Sequence, residues 1–178
     1  GLVGWEMCIR DRLYTDVARE LGLDRSRTFR QGLLKKVTMN RDYPLDVVSP
    51  AQFADTTAVG LKFKVKVGDD GRAKIKVTGP KKKKILDVKD VTLPYVVKTI
   101  YGDFTVTKTK NFKAGESYNA DISVGGYDGA AETLGEEIEA VIANKKTHVI
   151  GLYYRTPDVV FGKELLNKLL EKYDQRTI

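Results

Sequence analysis

At 178 residues, with 42% hydrophobic and 31% charged side chains, the chain is long enough to bury one substantial core and short for two. It contains no run of eighteen apolar residues and no basic start followed by an apolar stretch, so as written it does not cross a membrane as a helix or open with a secretion signal, and it reads as soluble. A net charge of +7 suggests a polyanion nearby: nucleic acid, anionic lipid headgroups or an acidic glycan.

Residues 1–12, Gly1-Leu-Val-Gly-Trp-Glu-Met-Cys-Ile-Arg-Asp-Arg12, resemble translated sequencing adapter and are set aside from the fold. With them go the only Trp and the only Cys, and so Trp5 as a stacking platform and Cys8 as a nucleophile. Residues 13–178 are then a single cysteine-free domain, without disulfides or thiolate metal sites and compatible with an oxidising compartment.

Leu13, Val17, Ala18 and Leu21 repeat at helical spacing, and Gly22 stands where a left-handed C-terminal cap belongs. Thr28 to Met39 reads as extended with a break at Gln31-Gly32, and Pro44 to Val48 as a short strand ended by Ser49-Pro50. A hairpin follows, in which Leu61, Phe63, Val65 and Val67 alternate inward, Asp69-Asp70-Gly71 turns the chain, and Ala73, Ile75 and Val77 return. Lysines occupy the intervening positions, as on the wet face of a one-sided antiparallel sheet. Lys81 to Lys84 form a loop, Ile85 to Val88 an edge strand, and further strands are predicted over Leu93 to Ile100, Phe104 to Thr109 and Tyr118 to Val124.

Gly125-Gly126 then links to a helix with Asp128 as N-cap and Ala131, Leu134, Ile138 and Ile142 on its buried side; Gly135 within it suggests close packing. Thr147 to Tyr154 has apolar residues on both faces, which suits a central, doubly covered strand. A last helix starts after Pro157 with Asp158 as N-cap and carries Leu165, Leu166, Leu169, Leu170 and Tyr173 on one face. The order predicts an α+β fold: a mostly antiparallel sheet with three helices packed against one side.

Catalytic ingredients are sparse. The single His148 has no nucleophile motif and too few companion ligands for a transition-metal site, so no catalytic residue, metal or cofactor is assigned. The turns at Gly68 to Gly71, Gly79 to Lys82 and Gly125-Gly126 match neither phosphate-loop pattern. Glu132, Glu136, Glu137 and Glu139 read as exposed acids of one helix rather than an acid/base or cation site. Lys81, Lys82, Lys83 and Lys84 are the candidate polyanion or glycan contact, although no stacking aromatic stands beside them.

Five segments carry a collinear resemblance: Asp16-Val-Ala-Arg-Glu-Leu-Gly-Leu23, Asp42-Tyr-Pro-Leu-Asp-Val47, Tyr101-Gly-Asp-Phe104, Asn111-Phe-Lys-Ala-Gly-Glu-Ser-Tyr118, and Val149-Ile-Gly-Leu152 through Leu166-Asn-Lys-Leu-Leu-Glu-Lys-Tyr173 to Ile178. From Leu13 onward the chain resembles the periplasmic domain of polysaccharide chain-length determinants, the Wzz-type co-polymerases, and within them the capsular exopolysaccharide, Wzc-like tyrosine-autokinase branch of Bacteroidota type. The resemblance implies a non-enzymatic domain on the periplasmic face of the inner membrane, part of a longer protein with two flanking spans. It implies a homo-oligomeric ring that works beside a lipid-linked polysaccharide polymerase and export machinery to set the length or export of capsule, exopolysaccharide or O-antigen. Acidic glycan or anionic lipid would be its polyanion, and nucleic acid is not expected. The alternative is a freestanding basic β-rich module that binds nucleic acid or another polyanion; a small secreted enzyme using His148 is a third reading.

Overall fold

Alternation dominates the middle of the chain, and it decides most of what folds there. In the computed structural model, which describes residues 2–31, 33, 35–144 and 149–177, every strand pair is antiparallel. Side chains are described over 12–30, 33, 35–138 and 153–173. The fold is α+β, and the chain divides into two compact units, residues 24–126 and residues 1–23 with 127–178.

The first of these units is built from strands. β1 (Arg25–Gln31), β2 (Lys35–Thr38), β4 (Leu61–Val67), β5 (Ala73–Thr78), β6 (Lys84–Val91) and β9 (Tyr118–Val124) form one sheet in the order β2-β1-β9-β4-β5-β6. β3 (Leu45–Val48), β7 (Tyr95–Thr99) and β8 (Gly102–Lys108) form a second, in the order β3-β8-β7. The inward residues of both sheets share one core: Phe63, Ile75 and Ile122 from the larger meet Leu45, Val97 and Phe104 from the smaller. The Phe63 and Phe104 rings lie 5.7 Å apart, and a one-turn helix, α2 (Phe53–Thr56), sets Phe53 edge-on to Phe104 at 4.9 Å. Burying each such side chain contributes roughly 1.5–3 kcal/mol, so these aromatics anchor the contact between the sheets.

The hairpin of β4 and β5 forms as expected, and its register sets Val67 opposite Ala73 and Phe63 opposite Val77. Its turn needs one residue in the left-handed region, and Gly71 supplies it at φ +81°. Apolar side chains of both strands are buried and the lysines between them are exposed. β6 lies at the sheet edge, as expected for Ile85 to Val88.

The other unit contains α1 (Leu2–Leu21), α3 (Tyr127–Glu137), the two-stranded sheet of β10 (Glu139–Asn144) and β11 (Val149–Tyr153), and α4 (Val159–Thr177). α1 ends as expected: Gly22 takes φ +65°, its N–H donates to Arg19, and the Leu23 N–H reaches back to the Ala18 carbonyl at 2.9 Å, a Schellman cap. Asp158 caps α4, its Oδ1 accepting the Phe161 N–H at 3.0 Å. α1 packs on α3 and α4, and Tyr14, Val17, Ala131, Leu134, Leu165 and Leu169 form the core between them.

Four expectations are corrected. The single sheet becomes three sheets, and the three long helices bury their apolar faces on one another. α3 stops at Glu137, so Ile142 lies in β10; the β-branched pair Val141-Ile142 favours a strand once β11 offers backbone partners, Ile150 opposite Ile142. β11 pairs with β10 alone among the described residues, so it is not a central strand, and Tyr153 at its end is exposed; apolar residues on both faces of a segment do not record how many neighbours the strand finds. Asp128 sits in the first turn of α3 rather than before it, since the helix begins at Tyr127.

Candidate polyanion-binding site

Period-2 alternation with one face buried leaves the other face of the six-stranded sheet to its polar residues. In β4 these are Lys62, Lys64 and Lys66, and in β5 Lys74 and Lys76, all exposed. The register sets Lys64 directly opposite Lys76, and Lys66 opposite Lys74. Side chains so placed have Cβ atoms about 4.5–5.5 Å apart, and like charges there repel.

Carboxylates offset this only in part. Asp121 of β9 lies beside Lys64, and Asp87 of β6 beside Lys76. Each carboxylate is engaged elsewhere on the face: Lys36 reaches Asp121 at 3.3 Å and Lys84 reaches Asp87 at 3.2 Å. The hydrogen bond from Lys84, helped by the charges of Lys76 and Lys89, holds the Asp87 carboxyl below its ordinary range. In the next row Lys66 neighbours Asn119, and Arg30 follows one step past the Phe29–Ala120 pair, with no carboxylate in register on that side, while on the other side Lys74 faces the β6 bulge of Lys89 and Asp90. The face is therefore a lattice of cations, with strands roughly 4.8 Å apart and alternate residues roughly 6.8 Å apart along each strand.

One end of this lattice is concave. A groove of about 580 Å³ opens around the β4–β5 turn, lined by Arg30, Lys66, Arg72, Lys74, Ser117 and Asn119 among others. Asp70 and Asp90 line it as well. Asp70 Oδ1 accepts the Arg72 N–H at 2.9 Å, and the Arg72 guanidinium donates to the Asp90 carbonyl at 3.3 Å.

The expected contact, Lys81 to Lys84, lies apart from this groove. Lys81 and Lys82 form a 3-10 turn after Pro80 with both residues at positive φ, Lys83 ends it, and Lys84 begins β6 in its pair with Asp87; all four are exposed. Of the glycine turns, Gly68 to Gly71 closes the hairpin and Gly79 opens the lysine turn. Gly126 is a packed position: a Cβ there would lie 2.9 Å from the Thr57 carbonyl oxygen and 3.0 Å from that of Ala54. Glu132, Glu136 and Glu137 are exposed on α3, whereas Glu139 falls in β10. His148 lies outside the described residues, as do the side chains of Trp5 and Cys8.

Arg30, Arg72 and Asn119 were not singled out by sequence reasoning. Arg30 follows the buried Phe29, so alternation could have placed it on the wet face; Arg72 and Asn119 reach the groove only through strand order.

No group of three or more His, Cys, Asp or Glu side chains among the described residues is placed to hold a metal ion. No described helix is long and apolar enough to cross a membrane. No protein-family model matches the sequence, and no curated protein matches it significantly.

Proposed function

We propose that this chain is a non-catalytic domain that binds an acidic polysaccharide across the exposed face of its six-stranded sheet. The observation that carries the reading is the pair of facing lysine couples, Lys64 with Lys76 and Lys66 with Lys74, whose mutual repulsion a bound polyanion would relieve. The face exposes no aromatic side chain among the described residues, and single-strand nucleic acid readers depend on stacking platforms.

The resemblance to chain-length determinants gives this polymer a setting: a capsular or exopolysaccharide chain held by a ring of copies at the periplasmic face of the inner membrane. The native gene tests that part directly. Apolar spans of about twenty residues on both sides of residues 13–178 support the co-polymerase assignment, and a reading frame without them removes it.

Binding is tested with dextran sulfate, a DNA duplex and single-stranded DNA under identical salt. The variant in which Lys64, Lys66, Lys74 and Lys76 are all replaced by Gln should lose dextran sulfate binding, while replacing Lys81 to Lys84 with Ser should weaken it less. Equal or tighter binding of either DNA would transfer the face to nucleic acid. Undiminished binding by the Gln variant would end the assignment.

A further inference from the structure

We propose that the groove at the β4–β5 turn is a subsite for one tetrahedral oxyanion, a phosphate or sulfate ester carried by the bound polymer. This inference rests on the polyanion reading of the sheet face and adds where, and through which anion chemistry, the polymer is held in register.

The two central rows of the face differ in one respect. Lys64 and Lys76 have Asp121 and Asp87 in their row, whereas Lys66 has Asn119 and then Arg30 on its β9 side, and the carboxylate on the β6 side, Asp90, stands in a bulge opposite Lys74. Lys66 and Lys74 line the concave end together with Arg30 and Arg72, so that four cations share it with two carboxylates, Asp70 and Asp90. A volume of about 580 Å³ is within the usual range for small-ligand sites and suits a sugar-sized group.

The donor set favours a tetrahedral anion over a carboxylate. Arg30 offers a planar fork of N–H groups, Lys66 and Lys74 offer two point charges, and the Asn119 amide and Ser117 hydroxyl add neutral donors. An ester phosphate or sulfate presents three peripheral oxygens to such a set, and a carboxylate only two. The four cations of the lining, Arg30, Lys66, Arg72 and Lys74, outnumber its two carboxylates, Asp70 and Asp90, by two, an excess that suits one anion.

The backbone around Lys74 is shaped for the purpose. The β5–β6 register slips between Ala73 and Ile75, a bulge that places Asp90 at φ 55° opposite Lys74. Bulges of this kind re-aim side chains at sheet edges, and Arg72, anchored on the Asp90 carbonyl, holds this one in place.

The test combines small anions with the polymer. Amide resonances of Lys66, Lys74 and Asn119 should shift on titration with inorganic phosphate or sulfate and stay still with acetate at equal ionic strength. Two double variants each remove two charges from the face: Arg30→Gln with Lys66→Gln at the groove, and Lys62→Gln with Lys84→Gln at the far end. The groove pair should weaken dextran sulfate binding by about tenfold or more, and by clearly more than the far-end pair. Equal losses would overturn the subsite while leaving the face reading intact. Polygalacturonate, a carboxylated polymer, binding as tightly as dextran sulfate would overturn the preference for an ester. A wild-type chain that binds no polymer would remove both the face reading and the subsite.

Discussion

Asp46 is the residue on which the two sheets of residues 24–126 depend electrostatically. It accepts the Arg27 Nε at 2.7 Å and the Arg25 Nη1 at 3.0 Å, while Arg25 also donates to the Val47 carbonyl at 2.8 Å and Arg27 stacks over the Tyr43 ring at 3.9 Å. Removing one partner of a largely buried ionic group strands the other, so Asp46→Ala should lower unfolding free energy by about 3 kcal/mol, read from denaturant melts. Asp24 is the opposite case. It is buried, its Oδ1 has no hydrogen-bond partner among the described residues, and its Oδ2 stands 3.6 Å from the Arg25 Nε, too far for a hydrogen bond. Burial outweighs the nearby Arg25 charge and pushes the Asp24 carboxyl upward. The folded state therefore holds this proton more tightly than the unfolded chain. Stability from this group is full below the unfolded value of 3.8 and falls as pH rises through the folded value. Asp24→Asn should flatten that decline in a plot of unfolding free energy against pH, and an unchanged plot would reassign the slope to other groups. None of this cluster was legible in sequence, since Arg25 and Arg27 lie about twenty residues from Asp46, with |i−j| of 21 and 19.

Elements were legible where a pattern is local. The alternation of Leu61 to Val77, the Gly22 cap and the Asp158 cap each depend on residues within a few positions, and each appears in place. The end of α3 depended instead on a distant strand, because β11 supplies the hydrogen bonds that turn residues 139–144 into β10. Gly135 shows how such an element can be improved. A Cβ at Gly135 would lie 3.7 Å from Tyr14 Cε2 and 3.8 Å from Cδ2, ordinary van der Waals contact, so the close packing suggested by the sequence leaves room for a methyl group. Gly135→Ala should therefore stabilise α3 by about 1 kcal/mol and raise the thermal midpoint, since alanine is the better helix former by that amount. A lowered midpoint would mean that Tyr14 cannot accept the contact.

At the scale of the molecule, the charge of +7 gains meaning only when its positions on the sheet are known. The lysines of β4 and β5 stand on one face, so binding should be a collective, salt-dependent property of that face. Affinity for dextran sulfate should fall linearly with salt on a double-logarithmic plot, and each face lysine changed to Gln should reduce the steepness by about one charge. A salt-independent affinity would show that the contacts are not ionic.

By itself the sequence determined the α+β class, the β4–β5 hairpin with its lysine-bearing wet face, and two helix caps, because each follows from side-chain periodicity or from chemistry confined to a few neighbouring residues. Only the tertiary structure decided the strand order, which places Lys66, Lys74, Asn119 and Arg30 around one groove and joins Arg25 and Arg27 to Asp46. The physical reason is that register and sheet order are set by the total apolar surface buried between strands far apart in the chain, a sum that no local pattern records.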